Sequence, residues 1–234
     1  FFSSVRITEN LFWVYKHFEE SFESLGNDAK TCHEKKDCCL ITDAMSTRKQ
    51  IFWDATQGKY VGLVSYGETP PENPDTPASE AMVFLLVVAR SHWKCPIGYF
   101  LANKMPSKMQ AHLVRVALKM AAEAGLRVWS VTTDGTTVNL SMFRELGCHF
   151  TTSIETMVTK FQHPSENYFV YAILDPCHML KLARNALGHH GTFWDKDKNI
   201  IRWTFFSSLN KIQESEGFQL ANKVHFKAFN VSKT

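Results

Sequence analysis

The sequence lacks the features that mark membrane, secreted and zinc-finger proteins. Its longest apolar run, residues 81–89, has nine residues, whereas a membrane-spanning helix needs about 20. The start shows no basic, apolar and small-residue pattern of a signal peptide. The six cysteines are scattered, without the paired Cys-x-x-Cys arms of a zinc finger. We therefore expect a reduced, intracellular protein with no membrane partner.

An excess of charge is also absent. The 234 residues carry a formal net charge of +3, which is too small to indicate a non-specific nucleic-acid binder from composition alone. Hydrophobic residues make up 44% and charged residues 21%, as in ordinary globular domains. The chain opens at Phe1 without a methionine, so we expect it to be a piece of a longer protein.

The hydrophobic pattern predicts an α/β fold. An amphipathic helix over 10–25 and a polar linker come first. Two short runs, "QIFWD" and "KYVGLVSY", flank a turn and predict a hairpin. The other predicted strands are 38–44, 81–90, 96–102, 126–134 and 168–174, and the predicted helices are 107–124, 136–146 and 176–187, the last with Gly188 past its end. Three strands followed by alternating helices and strands predict a mixed five-stranded sheet flanked by helices.

Two aspartates stand out because each ends an apolar strand. Asp43 follows "CLIT" and Asp134 follows "WSVTT". If these strands are parallel neighbours, both carboxylates lie at one edge of the sheet, where a divalent metal would relieve their repulsion. Two such metal ions can activate a water molecule in phosphodiester displacement. Aspartate is equally typical of turns and helix caps, so the residues alone leave both roles open.

Other polar side chains are candidates for roles around this edge. Asp175 follows the last strand and is a candidate either for an outer-shell acid or for a helix cap. His178, one helical turn further on, is a second candidate for an outer-shell role, or else a packed or exposed helix residue. Four basic residues predict either phosphate contacts or a solvated surface. They are Arg48, Lys49, Lys181 and Arg184. The pairs Cys148–His149 and Cys177–His178 would form a zinc site only if four ligands converged.

Several long motifs resemble, in order, the ribonuclease H-like core of P-element-type transposases, a family that includes the THAP-domain-containing transposases. The resemblance covers roughly residues 38–223. It divides the chain into an N-terminal helix and linker (1–37), the core (38–188) and the start of a helical inserted domain (189–234). The motifs are "DAMSTRKQ", "ASEAMVFLLVVARSHWKCPIGYFLANKM", "SVTTDGTTVNLSMFRELG", "AILDPCHMLKLARNALG" and "LNKIQESEGFQLANK".

The resemblance implies that Asp43 and Asp134 are two catalytic acids that bind Mg²⁺ or Mn²⁺. It also implies transposon-end and target DNA as partners, homo-oligomers and a nuclear location. The family's third acid is a glutamate beyond the inserted domain, and this chain shows no counterpart. Glu214 and Glu216 match the opening of the insertion and predict a solvated helix face.

The inserted domain implies GTP binding in the family. This chain has no loop of the G-x-x-x-x-G-K type, so we do not expect it to bind GTP. Two functions follow from the resemblance. The first is a transposase catalytic-core fragment that hydrolyses phosphodiesters and transfers strands in the intact family, and that is incomplete here. The second is a non-catalytic, domesticated or decayed remnant that binds DNA or protein.

Overall fold

The computed structural model describes residues 36–55, 58–67, 69–71, 73–90 and 93–217. The helix predicted over 10–25 lies outside these ranges. The chain forms two compact units, Phe1–Asp175 and Pro176–Thr234. The division at Asp175 comes before the predicted boundary at residue 188, and the predicted domain limits stay a prediction.

The first unit contains eight strands and two α-helices among its described residues. The sequence predicts each of the long elements to within a few residues. The strands are β1 (Asp37–Ser46), β2 (Phe52–Asp54), β3 (Lys59–Val61), β4 (Glu80–Val88), β5 (Lys94–Ala102), β6 (Arg127–Thr133), β7 (Lys160–Gln162) and β8 (Phe169–Leu174), and the helices are α1 (Ser107–Glu123) and α2 (Thr137–Leu146).

Six of these strands form one mixed sheet in the order β5-β4-β1-β6-β8-β7. Strand β1 pairs antiparallel with β4 and parallel with β6, and β6 pairs parallel with β8. The five predicted strands are all present. The sixth is β7, an antiparallel edge strand of three residues, which is too short to produce a period-two pattern in the sequence.

The main core lies between this sheet and helices α1 and α2. Strand β4 supplies the apolar run that the sequence singled out, and seven of its nine residues are buried. Helix α1 buries a stripe at helical spacing, as an amphipathic helix should. Its apolar members are Ala111, Leu113, Val114, Ala117, Leu118 and Ala121. Helix α2 ends at Gly147 in the left-handed conformation that favours glycine.

The predicted hairpin forms a separate two-stranded sheet from β2 and β3. The hairpin does not join the six-stranded sheet, although the segment that follows it makes a hydrogen bond to β5 of that sheet. The amide of Val64 donates to Thr76 O, and the amide of Ser65 donates to Leu101 O on β5, each at 2.9 Å. Hydrogen bonds to the body of the unit therefore hold the end of the hairpin.

The second unit contains helix α3 (Pro176–His190), a hairpin of β9 (Thr192–Trp194) and β10 (Ile200–Arg202), and helix α4 (Trp203–Glu216). The sequence predicts Gly188 beyond the end of α3. That expectation is wrong, because the helix continues to His190 and the left-handed glycine after it is Gly191. None of the described helices is long and apolar enough to cross a membrane.

Candidate functional site

The register of two parallel strands places Asp43 beside Asp134. Ile41 on β1 is paired with Thr132 on β6, and the same offset carried two residues on sets Asp43 alongside Asp134. Neighbouring strands lie about 4.8 Å apart, so the two backbones are close at this point. Both aspartates are partly buried. The sheet has therefore produced the parallel neighbours on which the predicted carboxylate pair depends.

Asp134 lies just past β6 and is held by the start of α2. Its Oδ1 accepts hydrogen bonds from the Thr136 amide at 3.0 Å and from Asn139 Nδ2 at 2.5 Å. The aspartate thus has the helix-capping role that the sequence left open. Both bonds go to Oδ1, so this role leaves the second carboxylate oxygen, Oδ2, out of the cap.

Asn139 is a site residue that the sequence analysis missed. It is 8% exposed, so its amide is almost fully removed from water, and it fixes the orientation of the Asp134 carboxylate. The available signal was an amide side chain five residues after Asp134, one turn into the predicted helix. That spacing is common, and only the tertiary structure shows that the side chain turns back to Asp134.

Asp43 lies inside β1, not at its end. The strand continues for three more residues to Ser46, because the antiparallel partner β4 goes on pairing with it. Asp43 Oδ1 accepts a hydrogen bond from the amide of Ala44 at 2.9 Å. The sequence placed the break at Asp43 because the apolar run stops there, although the backbone ladder does not.

Asp175 extends the row of aspartates by one strand. The Thr133–Leu174 pair of β6 and β8 is the last in register, and the next position sets Asp175 beside Asp134. The Asp175 amide donates to Thr133 O at 2.7 Å. Extending the two registers therefore sets the three aspartates in one row across β1, β6 and β8. The outer-shell role of Asp175 stays a prediction.

The other predicted site residues are divided between the two units. Arg48 and Lys49 are exposed in the segment between β1 and β2. His178, Lys181 and Arg184 lie on α3 in the second unit, so the structure describes them apart from the aspartates. Glu214 and Glu216 are exposed on α4, as predicted for a solvated helix face.

A cavity of about 530 Å³ opens next to Asp134. The first residues of α1 and α2 line it, and helix N-termini attract negative charge. Gln110 also lines it, is 7% exposed, and has an Oε1 without a hydrogen-bond partner among the described residues. The cavity leaves a path of molecular size from solvent to the Asp134 end of the sheet.

Metal ligands are sparse in the part of the chain that the structure describes. There, no three or more His, Cys, Asp or Glu side chains are grouped to hold a metal ion. The Cys–His pairs therefore form no zinc site within those residues. The row of aspartates does not converge as a set of three. Asp43 and Asp134 are neighbours in the extended register, and carboxylate oxygens are the kind of ligand that Mg²⁺ and Mn²⁺ prefer.

Family models match most of the chain. The model described as "TNP-like, RNase H N-terminal domain" matches residues 16–147. The model described as "TNP-like, GTP-binding insertion domain" matches residues 177–234. The first match covers β1 to α2, including both central aspartates.

Individual proteins agree with these models. The chain is 30% identical over 181 residues to the human DNA transposase THAP9. This alignment covers 76% of the chain and 20% of THAP9. It also resembles the Drosophila P element transposase strand transfer complex, with a TM-score of 0.60 and 17% identity, over 89% of this chain and 42% of that one. The chain thus spans about a fifth of the curated relative.

The fold agrees at the level of topology. The sheet is mixed, its central strands are parallel, and it carries helices as an α/β ribonuclease H-like fold does. Both kinds of comparison lead to the same group of proteins as the motifs. The chain belongs to the TNP-like family of P-element-type transposases, and its first unit is a ribonuclease H-like transposase core.

Proposed function

We propose that Asp43 and Asp134 bind a divalent metal ion, Mg²⁺ or Mn²⁺, at the catalytic edge of a DNA transposase core. The observation that carries this proposal is the parallel β1–β6 register, whose last pair, Ile41–Thr132, comes two residues before each aspartate. Two adjacent carboxylates repel each other unless a cation lies between them. Members of the ribonuclease H-like transposase family use divalent metal ions, which supports the same residues.

The chemistry follows from the family. The reaction is hydrolysis of a DNA phosphodiester, followed by attack of the freed 3′-hydroxyl on target DNA. A bound metal ion would activate the attacking oxygen and stabilise the leaving oxygen. In this chain Asp43 and Asp134 would hold the ion, while Asn139 and the Thr136 amide would keep the Asp134 carboxylate in place. Transposon ends and target DNA are the proposed partners, the assembly a homo-oligomer and the location the nucleus.

The remaining predicted residues take supporting roles in this proposal. Arg48 and Lys49 would contact the phosphates of the bound strand. Asp175, next to Asp134 in the extended register, would act as an outer-shell acid. The outer-shell role of His178 and the DNA contacts of Lys181 and Arg184 stay predictions. The GTP-binding family match at residues 177–234 supports a family ligand, but without a phosphate-binding glycine loop we expect no GTP binding by this chain.

Metal titration tests the site. We expect the wild-type chain to bind Mn²⁺ weakly by isothermal titration calorimetry, and Asp43→Ala and Asp134→Ala each to abolish measurable binding, because one carboxylate then remains. Asp197→Ala is the matched control, since Asp197 is exposed in the second unit and should leave the affinity unchanged.

Two outcomes would contradict the metal site. Equal Mn²⁺ affinity in all four proteins would show that the ion binds elsewhere. Loss of binding in Asp197→Ala alone would move the site to the second unit. Circular dichroism of each variant, compared with wild type, separates loss of a ligand from loss of the fold. A folded wild-type chain that binds no metal but still binds DNA would favour the non-catalytic remnant.

A further inference from the structure

Four large side chains of the small hairpin lie open to solvent. Ile51 is 43% exposed, Phe52 54%, Trp53 55% and Tyr60 63%. Large apolar side chains gathered at one exposed place usually mark a surface that binds something. We call this surface, formed by residue 51, strand β2 and strand β3, the aromatic hairpin. Trp53 lies largely outside the core.

The two most useful aromatic rings face the same way. Trp53 and Tyr60 are direct partners across the strand pair, so their side chains leave the same face of the hairpin. Their ring centroids are 5.1 Å apart and their planes meet at 71°. The two rings are therefore in edge-to-face contact with each other, and more than half of each side chain remains exposed.

The exposure is not a consequence of a loose hairpin. On the opposite face Val61 is only 3% exposed. Gly62 O accepts a hydrogen bond from the amide of Ala78 at 2.8 Å. A Cβ at Gly62 would overlap the carbonyl oxygen of Gln50, so these two backbones are in close contact. The base of the hairpin is packed into the first unit, while the aromatic rings are left outside.

Positive charge flanks the rings. Exposed Arg48 and Lys49 lie in a short segment whose two ends are held. At one end the Thr47 amide donates to Ser79 O at 2.8 Å, and at the other Gln50 contacts Gly62. Arg48 comes five positions after Asp43 in the chain, so their Cα atoms are at most about 18 Å apart. The basic segment thus joins the aromatic hairpin to the strand that carries Asp43.

We propose that the aromatic hairpin binds an unpaired DNA strand, with bases stacked on Trp53 and Tyr60 and phosphates at Arg48 and Lys49. The inference rests on the proposed function, which supplies DNA as the substrate. It adds the surface that would hold one strand of that DNA near Asp43. Aromatic rings beside a basic track are the combination that binds single strands without reading sequence. The faces of bases are available for stacking only where the strand is unpaired, and a partner with negative charge along its length matches the two basic residues.

Anisotropy of a fluorescein-labelled oligothymidylate tests the proposal, with the full chain in EDTA so that no metal site is involved. We expect Trp53→Ala and Tyr60→Ala each to weaken binding by roughly tenfold, within the range measured for loss of one stacked base. Trp53→Phe and Tyr60→Phe should retain most of the affinity because the ring remains. Trp194→Ala is the matched control, since Trp194 is 66% exposed on another short hairpin, and it should bind as wild type does.

Salt dependence separates stacking from phosphate contacts. Each phosphate contact on a single strand adds about 0.7 to the slope of log affinity against log salt. The double variant Arg48→Ala with Lys49→Ala should therefore lower the slope by about 1.4. The two ring-to-alanine variants should lower affinity at every salt concentration without changing the slope, because stacking releases no counterions.

Several results would overturn the proposal. One is unchanged affinity in both ring-to-alanine variants when their melting curves match wild type. Another is an equal loss in Trp194→Ala. A third is a concentration-dependent dimer, seen by sedimentation, that Trp53→Phe retains and Trp53→Ala abolishes while neither variant changes DNA binding. The hairpin would then bind a second copy of the chain and not DNA. Asp43→Ala should still bind the oligonucleotide, so failure of the metal site and failure of the hairpin are distinguishable.

Discussion

At the scale of single residues, Asp134 combines a structural and a proposed chemical role in one side chain. Its Oδ1 caps the start of α2 through the Thr136 amide and Asn139, and in the proposed site its carboxylate binds the metal ion with Asp43. A cap fixes the rotamer of the aspartate, which is what a metal ligand needs. The two readings that the sequence left open are therefore compatible.

The Asn139 bond gives a test at this scale. We expect Asn139→Ala to lower the free energy of unfolding by about 1–3 kcal/mol, because a buried hydrogen bond to a charged group is lost. Mn²⁺ affinity should also fall, by about tenfold or more, since the carboxylate is no longer oriented. Urea denaturation and calorimetry measure the two effects. Thr137→Ala, at an exposed position of the same helical turn, is the control, and equal effects in both variants would refute the positioning role.

The hydrogen bonds of His163 define the protonation state of its ring. It is 3% exposed. Its Nδ1 accepts hydrogen bonds from the amides of Ser165 and Glu166 at 3.2 and 3.1 Å, and its Nε2 lies 3.3 Å from Leu118 O on α1. Only the neutral ring with its proton on Nε2 satisfies all three contacts. Burial accordingly lowers the pKa of His163, outweighing the Leu118 carbonyl and the Glu166 charge, which raise it.

The sign of the pH effect follows from this lowered pKa. The unfolded chain, with a histidine pKa of about 6.5, takes up a proton before the folded chain does. The stabilisation is present above that value and is lost as pH falls through the folded pKa. We expect the melting temperature to drop more between about pH 7.5 and about pH 5 in wild type than in His163→Asn. An equal drop in both proteins would assign the pH dependence to other groups.

At the scale of elements, the aromatic hairpin depends on one glycine. Gly62 has a φ of +95°, and its missing Cβ makes room for the carbonyl of Gln50. We expect Gly62→Ala to lower the free energy of unfolding by about 1–3 kcal/mol, from backbone strain together with the overlap. Denaturant titration measures this loss.

Gly58 provides the matched comparison. It also has a positive φ, of +61°, but a Cβ there would meet no atom within 4 Å. Gly58→Ala should therefore cost less than Gly62→Ala, because it has the strain without the overlap. Equal costs would mean that the close approach of Gln50 does not matter for the hairpin.

Elements are also where the sequence predictions were most accurate and where their limits show. The helix of residues 107–124 is confirmed as α1 because its apolar spacing and the glycine after it are local signals. Strand β1 is longer than predicted because pairing with β4 carries it past Asp43. Helix α3 runs through Gly188 because a glycine stops a helix only where the chain also turns, and the turn comes at Gly191.

At the scale of the whole first unit, the sheet and its two helices enclose one core that includes two cysteines. Cys38 is 0% and Cys148 is 4% exposed. Burial, with smaller contributions from Cys39 and Asp37, raises the pKa of Cys38 to about 12, and burial raises that of Cys148 to about 11. Both thiols are therefore protonated at neutral pH and shielded from reagents.

Alkylation reports on this core. We expect iodoacetamide to modify exposed Cys177 rapidly in the native chain, and Cys38 and Cys148 only after denaturant is added, as read by mass spectrometry of tryptic peptides. Cys177→Ser should remove the rapid modification of the Cys177 peptide and leave the slow modification of the Cys38 and Cys148 peptides unchanged. Fast native labelling of Cys38 or Cys148 would mean that the core opens readily and would contradict the packing of β1 and α2.

The sequence by itself determined the long elements of the first unit and the family, and it singled out the two aspartates as candidates, because apolar period, glycine stops and ordered motifs are local properties of the chain. The tertiary structure decided which strands are neighbours, and thus that the extended registers set Asp43, Asp134 and Asp175 in one row across β1, β6 and β8. It also decided that Asn139 turns back to Asp134 and that Trp53 lies outside the core. Strand register and side-chain exposure depend on contacts between residues far apart in the chain, so no local pattern contains them.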